Sequence, residues 1–265
     1  MENTMNVFFK NFMRYRFLLV ELIKKGVKLK YRRSYLGIIW TLLEPLLTTI
    51  VLTIIFGSLL NRGNSASYPV YILSGRLLYS FFSTGTNTSM KSIRTNSGMI
   101  KKVYVPKYMY PLSSVIYNYV IFLISLIVLI GVSLFLGIHP TAKILLTPIP
   151  LLILLVLTVG VGLILSTLAV FFRDLEYLWS VVLMLIMYSS AIFYYVEDIV
   201  KKSPDKAILF HANPLYCCIA VFRDCVFGDP IQWKLCAYAA VFAVISFFVG
   251  VFLFYKKQDK FILHI

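Results

Sequence analysis

The stretch PIPLLILLVLTVGVGLILSTLAVFF, residues 148–172, contains no charged side chain in 25 residues. A helix of that length is about 37 Å long and can cross a bilayer core of about 30 Å. Similar apolar stretches occur five more times, so the sequence predicts six membrane spans, at residues 38–60, 68–90, 111–137, 148–172, 178–196 and 234–255. The expected fold class is therefore an all-α polytopic membrane protein.

The overall composition agrees with this fold class. Of 265 residues, 60% are hydrophobic and only 14% are charged, whereas about a quarter of the residues of a soluble domain are charged. The first apolar run begins near residue 38, behind a long basic segment, so no cleavable signal peptide is expected.

The net charge of +15 comes from Lys and Arg residues that lie beside the apolar runs. Since they do not form a separate basic domain, we expect no nucleic-acid partner. Eighteen basic residues fall on the side of the membrane that holds both termini, and seven fall on the other side. Short loops rich in Lys and Arg stay in the cytoplasm, so both termini are predicted to be cytoplasmic.

The segment before the first span has the pattern of an amphipathic helix over residues 7–28. Apolar side chains, including Phe8, Phe12, Leu19 and Leu22, fall on one arc, and lysines fall on the other. We expect residues 1–37 to form a cytoplasmic interface region that lies in the headgroup plane and contacts anionic lipids. The alternative is a detached soluble helix.

The second predicted span is the least apolar, because it carries several hydroxyl side chains, Asn87 and Arg76. Lipid cannot bond these groups, so neighbouring helices should shield this span, or it should line an aqueous path. Arg76 could attract a pyrophosphate or an anionic glycan. It could equally extend outward to the membrane surface or pair with an acid on another span.

Residues 199–233 are too polar to span the membrane and too apolar for a plain loop. Breaks are predicted at Asn213-Pro214 and at Arg223-Asp224, which favours a pair of re-entrant half-helices that form an outer gate. The alternative is an interfacial loop without a function. The four cysteines of the chain, Cys217, Cys218, Cys225 and Cys236, lack paired metal-ligand spacing and are interpreted as small apolar fillers.

The motifs of common catalytic sites are absent from the sequence. None of the 13 glycines is followed by Lys, so no phosphate-binding P-loop is present. The three histidines are far apart, and no HExxH or GxSxG motif occurs. We therefore expect no catalytic residue, no metal site and no cofactor in this chain.

Six sequence segments, in order, resemble type-2 ABC transporter permeases of the branch that exports O-antigen, teichoic acid and related polysaccharides. They are LKYRRSYLGIIWTLLEPLL (29–47), YPVYILSGRLLYSFF (68–82), IKKVYVPKYMYPLSSV (100–115), VFFRDLEYLW (170–179), NPLYCCIAVFRDCVFG (213–228) and a short tail containing KFI (260–262). They are spread over nearly the whole chain. Arg76 departs from the resemblance, because the family usually has an apolar residue there.

This resemblance implies a homodimer in a bacterial cytoplasmic membrane, joined by two copies of a separate P-loop ATPase that binds ATP and Mg²⁺. The implied substrate is a glycan on a polyprenyl pyrophosphate carrier. The implied regions are the interface segment 1–37, the permease domain 38–255 with a coupling connection at 91–110 and an outer gate at 199–233, and a cytoplasmic tail at 256–265.

Roles of individual residues follow from the resemblance and, for Arg76 and the aromatic residues of the fifth span, from the chemistry of their side chains. The interface segment would use Tyr31, Arg32, Arg33, Ser34, Leu36 and Gly37, and ATPase coupling would use Arg94, Met99, Ile100, Lys101, Lys102, Val103, Tyr104 and Pro106. The translocation path would include Trp40, Glu44, Arg76, Tyr188, Phe193 and Tyr194, and the outer gate would include Asn213, Pro214, Arg223 and Asp224.

Several of these residues also have plainer interpretations. Lys101 and Lys102, followed by Pro106, suit a short cytoplasmic helix, but they also fit ordinary positive-inside charge. The aromatic residues near the end of the fifth span could stack on sugar rings or anchor that span at the interface. Glu44, beside Pro45, could mark a kink with a charge that faces the pore, or could lie near the headgroups.

Three alternative functions remain open from the sequence. The nearest is a type-2 ABC exporter of a small hydrophobic drug or lipid. A membrane-embedded transferase acting on a lipid-linked sugar would need clustered acids or a His at one membrane face. A proton-coupled carrier would need carboxylates deep in the spans, where Glu44 is the only candidate.

Overall fold

The computed structural model describes residues 15–32, 36–59, 67–102, 105–138, 141–196, 199–200 and 207–263. The α-helices are α1 (Arg16–Tyr31), α2 (Trp40–Leu59), α3 (Ser67–Thr95), α4 (Ser97–Ile100), α5 (Met109–Phe135), α6 (Pro148–Phe171), α7 (Leu175–Ser189), α8 (Ala207–His211), α9 (Pro214–Phe227) and α10 (Trp233–Lys257). Short 3₁₀ helices occur at Gly37–Ile39, Ala142–Leu146 and Gln258–Leu263. The predictions for residues 7–14, Arg33, Ser34, Val103 and Tyr104 lie outside the described residues.

Within the described residues, four helices are long and apolar enough to cross a membrane, namely α2, α5, α6 and α10. These correspond to the first, third, fourth and sixth predicted spans, so the all-helical membrane fold is confirmed. At the second position α3 has 29 residues, enough length for a span, but it is much more polar. At the fifth position α7 has only 15 residues. The count of six spans therefore stays a prediction.

The polar helix α3 lies in the centre of the bundle. Seventeen of its 29 residues are buried, and it packs against both α5 and α6. Two of its hydroxyl groups bond side chains of neighbouring helices: the indole of Trp179 donates to Thr86 over 3.1 Å, and Asn118 donates to Thr88 over 2.8 Å. Neighbouring helices thus shield this span, which is one of the two arrangements expected from its polarity.

Helices α6 and α10 approach each other at two glycines. A Cβ atom added at Gly160 would lie 2.5 Å from the backbone nitrogen of Phe247, and one added at Gly250 would lie 2.6 Å from the carbonyl oxygen of Gly160. Small residues allow such close backbone packing between helices in membranes. The two glycines are on different helices, so this contact cannot be predicted from a GxxxG motif.

The prediction that the fifth span reaches residue 196 is wrong. Helix α7 ends at Ser189, and Ala191 has a φ of +48°, which is incompatible with a continuing right-handed helix. Phe193 and Tyr194 therefore lie in an irregular bend, not on the helix. The apolar pattern continues through this bend, but polar side chains from α3 and α9 bond its carbonyl groups.

The predicted helix break at Arg223-Asp224 is also wrong, because α9 is continuous over Pro214–Phe227 and both residues are buried within it. The break at Asn213-Pro214 is confirmed. The Asn213 side chain accepts a hydrogen bond from the backbone N–H of Leu215, and Pro214 occupies the first helical position. With 14 residues, α9 is about 21 Å long, shorter than a bilayer core. All four cysteines are buried free thiols.

Candidate transport and coupling sites

Arg223 is the centre of a buried polar contact between α9, α3 and the bend after α7. Its guanidinium donates to the carbonyl oxygens of Ala191 (3.0 Å), Tyr71 (2.9 Å) and Ile192 (3.4 Å). It also lies 3.4 Å above the ring of Tyr71, which is a close cation–π contact. The side chain therefore acts as a fixed donor for carbonyl groups that the end of α7 leaves without helical partners.

Two tyrosines of α3 complete this contact. The hydroxyl of Tyr68 donates to the carbonyl of Phe193 over 2.6 Å, and that of Tyr71 donates to the carbonyl of Tyr194 over 2.9 Å. Every carbonyl from residue 191 to residue 194 thus accepts a hydrogen bond from Arg223 or one of these tyrosines. Sequence reasoning missed both tyrosines, since nothing in a single sequence pairs them with residues about 120 positions away.

The predicted gate residues hold α9 in place. The Asn213 amide donates to the hydroxyls of Ser189 and Ser190, each over 3.0 Å, which joins the start of α9 to the end of α7. Asp224 accepts from the backbone N–H of Gln232 over 3.1 Å. At the other end of α9, Lys143 donates to the carbonyls of Gly228 and Asp229 over 2.9 and 2.8 Å.

A cavity of about 370 Å³ lies beside this contact. Its walls carry aromatic, acidic and amide side chains, among them Tyr71, Tyr195, Tyr216, Asp224, Asp229 and Gln232. The volume is in the usual range for small-molecule pockets, about 300–1,000 Å³.

The predicted translocation-path residues do not form one cluster. Trp40 and Glu44 lie at the N-terminal end of α2, where they line a small cavity of about 90 Å³ together with Lys30 and Tyr31. Phe193 is buried and its ring stacks at 4.9 Å on Phe56, near the other end of α2.

The remaining path residues are more accessible. Tyr188 is exposed and Tyr194 is half-buried. The hydroxyl of Tyr194 donates to the carbonyl of Tyr188. Arg76 is half-buried on α3. Tyr188 and Tyr194 are thus brought together. The ring of Phe193 stacks on Phe56 and that of Tyr194 packs edge-on against Phe210 at 6.0 Å, so Tyr188 is the most open of the three.

Pro45 interrupts the backbone bonding of α2. Because proline has no N–H, the carbonyl of Thr41 loses its helical donor. The hydroxyl of Ser125 on α5 donates to that carbonyl over 3.3 Å. Within a membrane such a replacement is needed, since lipid offers no donor. The Glu44 side chain beside this interruption is exposed.

The predicted coupling connection contains the short helix α4. Its C-terminal neighbours Lys101 and Lys102 are exposed, Met99 is partly exposed and Ile100 is buried. The connection is joined to α7 by Glu176, whose carboxylate contacts Arg94 at 2.7 Å and Lys91 at 3.2 Å. An acidic residue at this membrane edge was visible in the sequence, but its two partners were not.

The other end of the connection is joined to the C-terminal tail. After Pro106, Lys107 donates to the carbonyl of Gln258 over 2.6 Å. Partial burial lowers the pKa of Lys107, and the nearby Asp259 carboxylate raises it. Phe261 of the tail is fully buried and packs edge-on against Phe171 and Phe254.

The interface segment is described only in part. Tyr31 is half-buried, and Arg32 and Leu36 are exposed. Gly37 has a φ of +49°, a left-handed conformation that glycine adopts without strain, and it is the first residue of the 3₁₀ turn that leads into α2. The geometry supports a sharp change of direction between α1 and α2.

The fold and these sites define a polytopic helical membrane protein. The chain belongs to the ABC-2 type transporter family, whose model matches residues 18–227. Membership places it among transport proteins rather than enzymes.

Similar proteins cover almost the whole chain. An O-antigen export system permease protein, RfbA, from Klebsiella pneumoniae is 30% identical over 92% of this chain and 93% of its own length. The RfbA permease of Myxococcus xanthus is 28% identical over 93% of this chain and 95% of its own. The polysialic acid transport protein KpsM of Escherichia coli is 24% identical over 90% of this chain and 92% of its own.

Proposed function

We propose that this chain is the permease subunit of an ABC exporter that moves a lipid-linked cell-surface polysaccharide, or a teichoic-acid-type polymer, across the cytoplasmic membrane. The observation that carries the proposal is similarity over at least 90% of the chain to permeases named for two different polysaccharides, O-antigen and polysialic acid. The six spans would be α2, α3, α5, α6, α7 and α10, with both termini in the cytoplasm.

The exposed apolar faces of α2 and α7 support a homodimer. In α2 only Thr41, Thr49 and Gly57 are buried, and in α7 only Leu183 is buried. Both helices would contact a second copy or the polymer path between the two copies, and lipid would cover the remainder. Tyr188 and Tyr194, at the end of α7, would offer aromatic faces to sugar rings.

Energy would come from two copies of a separate P-loop ATPase, which would hold the ATP and Mg²⁺. The exposed residues around α4, namely Met99, Lys101 and Lys102, would contact it, together with the interface segment. Glu176 would pass the movement of this connection to α7, since its carboxylate joins the two.

Affinity purification of the tagged protein from its native membrane tests this assembly. We expect a P-loop ATPase to be recovered in equal amount with the permease, as mass spectrometry of the purified complex would show. A permease that purifies without any ATPase would contradict the proposed assembly.

Replacing Glu176 with glutamine should reduce export much more than it reduces the stability of the protein. The ion pairs are partly exposed, so we expect unfolding to become easier by less than about 1 kcal/mol, while export falls severalfold. Export is measured as surface polysaccharide at equal membrane levels of the permease. The matched control is Asp174→Asn, which removes an exposed carboxylate two residues before Glu176 that forms no ion pair with the described residues. Equal export by both variants would remove Glu176 from the coupling route.

Tyr194→Ala and Arg76→Leu test the proposed polymer path. Both should lower export with unchanged membrane levels and unchanged ATPase binding, because one removes an aromatic face and the other a cation that could attract an anionic glycan. Wild-type export from both variants would exclude these two residues from the path.

A further inference from the structure

A cleft of about 660 Å³ is lined by residues of α1, α3 and α5. We call it the basic cleft. Its walls are formed by Leu22, Lys25, Gly26, Leu29 and Lys30 of α1, by Thr84, Thr88, Lys91, Ser92 and Thr95 of α3, by Asn96, and by Tyr110, Ser113, Ser114, Tyr117 and Asn118 of α5. The function described above makes no use of it.

The basic cleft is held by close packing. A Cβ atom added at Gly26 of α1 would lie 2.5 Å from the ring of Tyr117, so α1 rests directly on α5. A second cavity, of about 90 Å³, shares Lys30, Thr84 and Asn118 with the cleft and extends it toward α2. The two together form a polar recess that runs from the surface of α1 into the bundle.

The charge of the basic cleft is one-sided. Its walls include three lysines and no acidic side chain. Glu176 contacts Lys91 from outside the cleft at 3.2 Å, and Glu44 lines the adjoining cavity near Lys30. Partial burial lowers the pKa of Lys30, and Glu44 raises it. Three exposed ammonium groups thus face two carboxylates, so the recess carries an excess of positive charge.

Neutral polar groups lie between the lysines. The side chains of Thr88, Ser92 and Asn118 line the cleft, and their protons are donated to backbone carbonyls or to one another. Tyr110 also belongs to the wall. It is 1% exposed, and its hydroxyl has no hydrogen-bond partner among the described residues. An unpaired buried hydroxyl is unfavourable, so a bound group that accepts from it would be stabilised.

We propose that the basic cleft binds the phosphate of a lipid headgroup. Phosphate oxygens accept several charge-assisted hydrogen bonds, and lysines with hydroxyl groups are suitable donors. The apolar side chains Leu22 and Leu29 of α1 lie in the same walls, so a lipid tail can remain in the bilayer beside α1. The source is the diphosphate of a prenyl carrier or the phosphate of an ordinary phospholipid.

Only the prenyl-carrier source rests on the proposed function. The test therefore measures binding to the full-length permease in detergent, without ATPase or transport, so its outcome is independent of any export result. The probe is farnesyl diphosphate, and farnesol, which has the same tail without phosphate, is the ligand control. Trp40 lies in the adjoining cavity, so its fluorescence reports occupancy.

We expect saturable binding of farnesyl diphosphate and none of farnesol. Lys30→Gln should raise the dissociation constant about tenfold, the effect of losing one charge-assisted hydrogen bond. The matched control Lys28→Gln removes the same charge from the same helix outside the basic cleft and should change binding less than twofold. Tyr110→Phe should weaken binding without lowering the unfolding temperature of the free protein, because it removes an unpaired buried hydroxyl.

Competition with phosphatidylglycerol in mixed micelles separates the two sources. Displacement at equal phosphate concentration identifies a general phospholipid site, and failure to displace identifies a prenyl diphosphate site; both support the proposal. Equal affinities of Lys30→Gln and Lys28→Gln, or equal binding of farnesol, would overturn it. Unfolding temperatures of the variants confirm that each one is folded.

Discussion

Replacing Arg223 with leucine is expected to prevent stable folding of the protein. The guanidinium donates to the carbonyls of Ala191, Ile192 and Tyr71 in a buried region. Without it Ile192 would lose its side-chain donor, and Ala191 and Tyr71 would each lose one of two. Each hydrogen bond to a charged group contributes about 1.5–3 kcal/mol, so the loss should exceed about 3 kcal/mol of a stability of about 5–15 kcal/mol. Thermal unfolding in detergent and the amount of protein in the membrane measure the effect.

Arg76→Leu is the matched control, because Arg76 is half-buried and has no hydrogen bond or ion pair within the described part of the chain. It should unfold at nearly the wild-type temperature. Arg223→Lys should be intermediate, since one ammonium group cannot reproduce the planar set of donors. If Arg223→Leu were as stable as Arg76→Leu, the account of the bend after α7 would be incorrect.

Gly160→Leu is expected to disrupt the packing of α6 on α10. Even a Cβ atom at this position would lie 2.5 Å from the Phe247 nitrogen and 2.8 Å from the Ser246 oxygen, and backbone cannot move aside cheaply. Overpacking in cores costs about 1–3 kcal/mol where side chains can adjust, so a leucine against backbone should cost at least that much. We expect a lower unfolding temperature and a reduced yield of monodisperse protein.

Gly131→Leu is its control. Gly131 lies on the exposed side of α5, where nothing is within 4 Å of an added Cβ atom. The same substitution there should leave the unfolding temperature within about 1 °C of wild type or raise it, because glycine is the poorer helix former. Equal destabilisation by both substitutions would show that the effect is one of helix propensity rather than of helix contact.

The apolar runs were sufficient to predict the helical membrane fold, because a bilayer imposes a minimum length and a nearly charge-free composition on each span. Helices α2, α5, α6 and α10 satisfy both conditions. The polarity of α3 also predicted its burial correctly. A single physical requirement, that lipid cannot bond polar groups, accounts for both results.

The incorrect predictions concern segments whose backbone conformation is determined by tertiary contacts. Residues 190–196 continue the apolar pattern of α7, yet hydrogen bonds from Tyr68, Tyr71 and Arg223 hold them in a bend. The sequence analysis places a helix break at Arg223-Asp224, but both residues are buried inside α9 with partners. Pairings over 120 positions leave no local signal in one sequence.

The candidate coupling site was predicted only in part. The short helix after α3 follows from local sequence, whereas the contacts of Glu176 and Phe261 with this region depend on the arrangement of the bundle. The roles assigned to Lys101, Lys102, Trp40 and Glu44 remain predictions.

Depletion of the permease in its own cells tests the central claim most directly, with lipid-linked glycan measured in the membrane and polysaccharide measured at the surface. We predict that surface polysaccharide is lost, that carrier-linked glycan accumulates on the cytoplasmic side, and that the wild-type gene restores export while Glu176→Gln restores it only in part. Unchanged surface polysaccharide, with no accumulation of carrier-linked glycan after depletion, would contradict the proposed function.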